Sequence, residues 1–261
     1  MTQPSLKSRL AAGETLFGTM VFEFDSPGLA RIVAGAGADF IILDMEHSGW
    51  GVETIKRQIA HAHGALLPPI VNPPGDAHDQ ICRPLDLGAI GVMVPVVETR
   101  AQAEAIVRAT RYPPLGTRGS AFGVAHDGYS VGDVAATMEA ANERTLVIVK
   151  IETATGVANA DAIMSVPGVD VGFVGHTDLS VSLGMPGEFD NPAFVAARDA
   201  VAASCRKHRK AAGCLVATPE SGRQWMEAGF RLVTYLGDIW LLANALRSGL
   251  DAMRAPRPSG A

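Results

Sequence analysis

The sequence predicts an α/β fold, a (β/α)8 TIM barrel, built as one domain over residues 1–261. Three observations carry this expectation. Eight short apolar runs rich in β-branched residues recur along the chain, helix-like segments alternate with them, and the length suits a barrel of roughly 250 residues. The first strand is read at Phe17–Val21, ahead of a helix at Ser26–Ala38 with Ser26 as N-cap and Pro27 in its first turn. Strands at Phe40–Met45 and Leu67–Asn72 are followed by helices at Val52–His63 and Ala77–Leu87. Gly91–Val97 leads into a helix at Thr99–Thr110, and a helix at Val134–Asn142 precedes the strand Leu146–Glu152. Val171–Gly175, the helix Pro192–Lys210, Gly213–Ala217, the helix Pro219–Ala228 and Leu232–Leu236 complete the series. Continuous apolar runs such as FIILDM and LVIVKIE are what parallel strands covered on both faces require. A doubly wound open sheet is the rival, weakened because no GxGxxG follows the first strand.

Small-residue tripeptides at Gly35–Gly37, Gly88–Ile90 and Ala228–Phe230 fit tight αβ turns. The connection Tyr112–Gly132 is unusually long and rich in Gly and Pro, and long ordered loops are more often functional than idle. The tail from Ala255 reads as a frayed terminus. Hydrophobic residues make up 48% and charged residues 19%, which excludes disorder. Net charge is −5 without a Lys/Arg block, so no nucleic acid and no anionic membrane is expected as a partner. Cys82, Cys205 and Cys214 have no paired spacing, which argues against disulfides and thiolate metal sites. The N-terminal stretch lacks the apolar core of a signal peptide, so a cytoplasmic location is expected.

Catalytic groups of such barrels come from the C-terminal ends of the strands. Four strands end in polar residues: Asp44-Met45-Glu46-His47, Asn72, Lys150-Ile151-Glu152 and Gly175-His176-Thr177-Asp178. Glu152 and Asp178 would meet across neighbouring strands, and two such carboxylates repel unless they share a proton or a hard divalent cation such as Mg²⁺ or Mn²⁺. The alternative has Glu152 capping the following helix and Asp178 in an ordinary salt bridge. His47 leaves a buried strand directly into a loop, which suits a general base. His61, His63, His78, His126 and His208 are expected at the surface. Asp86 could orient His47, or simply cap or salt-bridge. Lys150 is the one lysine on a predicted strand, so a Schiff-base mechanism would have to use it.

The strings Phe40–His47, Pro84–Ala89, Thr110–Gly119, Ile151-Glu152 and Phe173–Gly184, in that order, resemble the class II pyruvate aldolases. This is the 4-hydroxy-2-oxoheptanedioate and 2-dehydro-3-deoxyglucarate aldolase family, related to the citrate lyase β subunit. The resemblance implies a barrel assembled into homo-hexamers, with a divalent cation (Mg²⁺, Mn²⁺ or Co²⁺) held at Glu152 and Asp178. It implies His47 as base with Asp86 raising its basicity, and the backbone at Gly175 and Thr177 receiving the substrate carboxylate. The activity implied is formation or cleavage of the bond between a 2-keto acid enolate, of pyruvate or hydroxypyruvate type, and an aldehyde, with oxaloacetate decarboxylation as a side reaction. The chain departs from the pattern in three places. Asn72 replaces an arginine that contacts the keto oxygen; Lys150 replaces a glutamine two residues before the metal glutamate; and His176-Thr177 replaces the usual Pro-containing pair. Positions i and i+2 of a strand share a face, so the cation is expected to have moved from strand three to Lys150, where it binds substrate. Arg118 is expected to receive a distal carboxylate or to hold its loop, and the Ser120–Ser130 loop to sense the aldehyde. Two other readings stand beside this: a keto-acid-binding barrel without turnover, and a Schiff-base aldolase using Lys150. A CoA-thioester lyase would need a basic groove, of which the acidic balance gives no sign.

Overall fold

The computed structural model of the chain describes residues 4–255; the terminal segment expected to fray lies, beyond Ala255, outside the described residues. Eight parallel strands close into a barrel in sequence order, with the last pairing back to the first. They are β1 Leu16–Val21, β2 Phe40–Asp44, β3 Pro69–Asn72, β4 Gly91–Val94, β5 Leu146–Ile151, β6 Val171–Val174, β7 Ala211–Val216 and β8 Phe230–Gly237. The helices are α1 Leu6–Ala11, α2 Leu29–Gly35, α3 Val52–Gly64, α4 His78–Asp86, α5 Arg100–Thr110, α6 Val134–Arg144, α7 Ala154–Ala158, α8 Ala160–Met164, α9 His176–Ser182, α10 Pro192–Lys207, α11 Pro219–Glu227 and α12 Asp238–Arg254.

The period of two along each strand explains both the core and the site. Phe40, Ile42, Ile70, Met93, Leu146, Ile148, Val171 and Phe173 belong to one buried cluster inside the barrel. Their alternates pack outward under the helices: Ile41, Leu43 and Val71 on one side, and Val92, Val94, Val147, Val149 and Ile151 on another. One step further along the inward series stand Asp44 after Ile42, Asn72 after Ile70, Lys150 and then Glu152 after Ile148, and Gly175 after Phe173. The apolar interior therefore turns polar at the C-terminal mouth. Burying an aliphatic side chain contributes roughly 1.5–3 kcal/mol, whereas burying a charge costs free energy unless it is paired. Asp44, Asn72, Lys150 and Glu152 are all buried, so stability does not account for them.

The structure departs from the sequence reading at several ends. β4 stops at Val94 because Pro95 has no N–H to give the ladder and Val96 turns to φ 52°. Helix α2 starts at Leu29; Ser26 does not cap it, and its Oγ accepts the Gly28 N–H at 3.3 Å instead. The helices α1, α7, α8 and α9 are too short to show a period, and the long α12 was not read from the sequence. The consequence at α9 is the largest: the segment after Gly175 is a helical turn, which puts Asp178 in its first turn. His126 is buried, contrary to its expected surface role, with Nε2 2.7 Å from the Ala121 carbonyl oxygen. The three cysteines are free and buried. Among the described residues no helix is long and apolar enough to cross a membrane.

Candidate active site

A chain of charged and polar side chains crosses the mouth from β2 to β5. Asn72 on β3 donates its amide group to Asp44 Oδ1 at 2.7 Å and to Glu46 Oε2 at 2.9 Å. Lys150 Nζ donates to the same Glu46 oxygen at 2.5 Å and lies 3.5 Å from Glu152 Oε2. The other Asp44 oxygen accepts the His47 N–H at 2.7 Å, and Ser48 Oγ donates to the Asp44 carbonyl at 2.6 Å, so the turn after β2 is tied to the strand that precedes it. The His47 side chain is 57% exposed, with Nε2 3.5 Å from Glu46 Oε2.

Glu152 is the most constrained group. It is 2% exposed, and its Oε1 accepts the Val96 N–H at 2.7 Å. Its Oε2 is buried without a hydrogen-bond partner. Burial pushes the carboxyl above the usual carboxylate range; Lys150 and the Val96 N–H pull it back, while Glu46 and Asp178 add to the push. Gly175 makes the space: a Cβ there would meet Glu152 Oε2 at 2.1 Å. The capping alternative for Glu152 does not hold, because Thr153 caps α7 by accepting the Gly156 N–H at 3.0 Å. Among the described residues Asp178 forms no ion pair, so its salt-bridge alternative finds no partner either. His176 beside it packs edge-on to Phe189 at 4.9 Å, and burial makes its imidazole harder to protonate against the pull of Asp178.

These groups open into a cavity of about 700 Å³ lined by His47, Lys150, Glu152, Gly175, His176, Thr177 and Asp178 together with apolar side chains. Among the described residues no cluster of three or more His, Cys, Asp or Glu side chains is arranged to hold a metal ion. A buried Glu152 oxygen without a hydrogen-bond donor and the Asp178 carboxylate, lining the same cavity, fit a hard cation that would take its remaining oxygens from water or substrate. The donor set therefore fits the implied ion.

One expected site residue serves another role, and two stand elsewhere. Asn72 is fully buried, and both its amide hydrogens go to Asp44 and Glu46, so it supports Glu46 and has none left for a substrate. Asp86 and Arg118 pair with each other at 2.7 Å. Asp86 ends α4, and the barrel alternation places that end at the mouth opposite His47. Arg118 is buried against the Tyr112 ring, 4.6 Å from its centroid, and holds the long loop. The Ser120–Ser130 segment belongs to the same opposite end, between α5 and α6. Glu46, which accepts from both Asn72 and Lys150, is the residue sequence reasoning undervalued. Its separation of two from Asp44 was the available signal.

The chain is 36% identical to the hydroxypyruvate/pyruvate aldolase of Roseobacter denitrificans, over 94% of each chain. It is 34% identical to the 5-keto-4-deoxy-D-glucarate aldolase of Klebsiella pneumoniae, over 95% of this chain and 96% of the relative. A solved structure of a family protein from Burkholderia cenocepacia matches it with a TM-score of 0.90 at 34% identity, covering 96% of this chain and 99% of the other. The model of the HpcH/HpaI aldolase/citrate lyase family matches residues 19–245. With barrel, mouth and sequence in agreement over nearly its whole length, the chain belongs to the HpcH/HpaI aldolase/citrate lyase family.

Proposed function

We propose that this protein is a divalent-metal-dependent aldolase that joins a 2-keto acid of the pyruvate or hydroxypyruvate type to an aldehyde, or cleaves the product. One observation carries the reading: a buried Glu152 oxygen without a hydrogen-bond partner, opening beside Asp178 into the cavity. Glu152 and Asp178 would hold Mg²⁺, Mn²⁺ or Co²⁺. A bound ion of this kind supplies Lewis-acid stabilisation of negative charge on the keto oxygen. His47, exposed at the rim, takes the C3 proton and returns it to the aldehyde oxygen. Lys150 brings a positive charge to the interior face where the keto acid lies. Thr177 lines the cavity in the first turn of α9, where an N–H has no intrahelical acceptor and is available to the substrate carboxylate.

The proposed hexamer is supported by α12, which buries only Asp238 and leaves Leu242, Leu246 and Met253 exposed. The Schiff-base alternative is disfavoured by the placement of Lys150 between two carboxylates, where it acts as an ion-pair partner.

The test is exchange of pyruvate C3 protons in D₂O, followed by proton NMR, with and without EDTA. We expect exchange and oxaloacetate decarboxylation that EDTA abolishes and Mg²⁺, Mn²⁺ or Co²⁺ restores. Chelator-insensitive exchange together with borohydride trapping at Lys150 would overturn the metal reading. Keto-acid binding with neither activity under any of the three ions would support the binding-only barrel.

A further inference from the structure

The cavity has two sides of opposite character. On the side of β5 and α9 it carries Lys150, Glu152 and Asp178; on the side of β7, β8, the segment after β1 and α12 its wall is formed by Phe22, Leu215, Leu236, Ile239 and Trp240. That wall is a constructed surface. Asp238 Oδ1 accepts the Phe22 N–H at 3.0 Å and the Ile239 N–H at 2.9 Å, and its Oδ2 accepts the N–H groups of Glu23 at 3.0 Å and Phe24 at 2.8 Å. One buried carboxylate therefore ties the segment after β1 to the start of α12. The rings of Phe22 and Trp240 meet edge-to-face at 5.1 Å. A Cβ on Gly237 would come within 2.6 Å of the Phe22 ring and 3.1 Å of Trp240, so glycine at this position lets both rings close over the strand end.

Among the described residues lining the cavity, Lys150 is the one Lys or Arg, and it already serves Glu46 and Glu152. Glu23 adds negative charge to the lining. Arg118, the cation expected for a distal carboxylate, is committed to Asp86 at the opposite mouth. A carboxylate on the far end of an aldehyde would lose its water against apolar side chains and face Glu23 without a cation. An alkyl or aryl group would instead bury apolar surface there.

Resting on the aldolase reading, we infer that the acceptor is an uncharged aldehyde with an apolar chain or ring, seated on the Phe22–Trp240 wall. In the reaction, C3 of the keto acid gives a proton to His47 and bonds to the aldehyde carbon. The carbonyl π pair moves to the aldehyde oxygen, which takes a proton back, leaving a 4-hydroxy-2-keto acid with the apolar group at its far end.

A matched pair of acceptors tests this on the Mg²⁺-loaded full chain with pyruvate as donor: butanal against succinic semialdehyde, equal in carbon count and different in charge. We expect kcat/KM at least tenfold higher for butanal. Trp240→Ala and Phe22→Ala should each raise the butanal KM severalfold more than the pyruvate KM, a split that a general folding defect would not produce. Equal or better use of succinic semialdehyde overturns the inference while pyruvate C3 exchange, which needs no acceptor, shows the aldolase reading intact. Loss of that exchange in the unmodified protein overturns both.

Discussion

Lys150 occupies a position between two acids, Glu46 at 2.5 Å and Glu152 at 3.5 Å, with almost no access to water. Removing one partner from a buried ionic group costs about 3–5 kcal/mol, since the remaining charges lose their compensation. We therefore expect Lys150→Met to lower stability by about that amount in EDTA, and excess Mg²⁺ to recover part of it. Thermal melts in the two conditions check this, and an unchanged melting temperature in EDTA would refute the network. Glu152→Gln should separate the two oxygens of that side chain. Its amide oxygen can still accept the Val96 N–H, so the fold should hold. Ion-dependent activity should fall by more than the roughly 10–100-fold typical of losing a residue that merely supports a ligand. Isothermal titration with Mn²⁺ reads the same loss without turnover. The placement of Lys150 and Glu152 on one face was legible from their separation of two. What Asn72 does was not, because its acceptors come from another strand and only the closed barrel brings them together.

The β4–α5 connection shows what the elements contribute. Val96 is β-branched with φ 52°, a conformation that costs such a residue about 1–3 kcal/mol, and its N–H is the donor that holds Glu152 Oε1. Glycine would relieve the strain but adds about 0.5–1 kcal/mol of unfolded-state entropy. The relief is the larger of the two. Val96→Gly should therefore stabilise the protein by about 1 kcal/mol while weakening divalent-ion binding, because the loop can then leave its bent position. Urea denaturation and Mn²⁺ titration measure the two effects separately, and a destabilised variant would contradict the argument. A strand-ending Pro-Val pair signals the break in pairing but not the sign of φ, which tertiary contacts decide. The same limit applies to α9: seven residues give too short a period to tell a helical turn from a loop.

At the scale of the whole barrel the order of strands, their parallel direction and the mouth that carries the polar groups all followed from alternation and apolar runs. The opposite mouth was less legible, because charges there pair across elements distant in sequence. Asp170 is an example, receiving Lys7 at 3.1 Å and standing 4.0 Å from Arg111. Nearby, Lys210 donates to the Val166 carbonyl at 2.5 Å, and burial lowers its pKa from 10.5 to about 8, opposed by Asp170 and the Cys205 thiol. Between those values the unfolded chain binds more protons at this site than the folded one, so stability should rise with pH from about 8 to 10.5. Lys210→Met should flatten that slope in denaturant titrations repeated across the window. A slope that persists in the variant would assign it to other groups.

Beneath the polar groups, Met20, Met93 and Phe173 belong both to the cavity and to the packed interior of the barrel, and all three are buried. They close the bottom, so everything that enters leaves by the way it came. Under the proposed chemistry the keto acid sits deepest and the aldehyde above it, which dictates traffic: keto acid in first and out last. Product-inhibition patterns in the cleavage direction should accordingly be competitive for pyruvate and noncompetitive for the aldehyde.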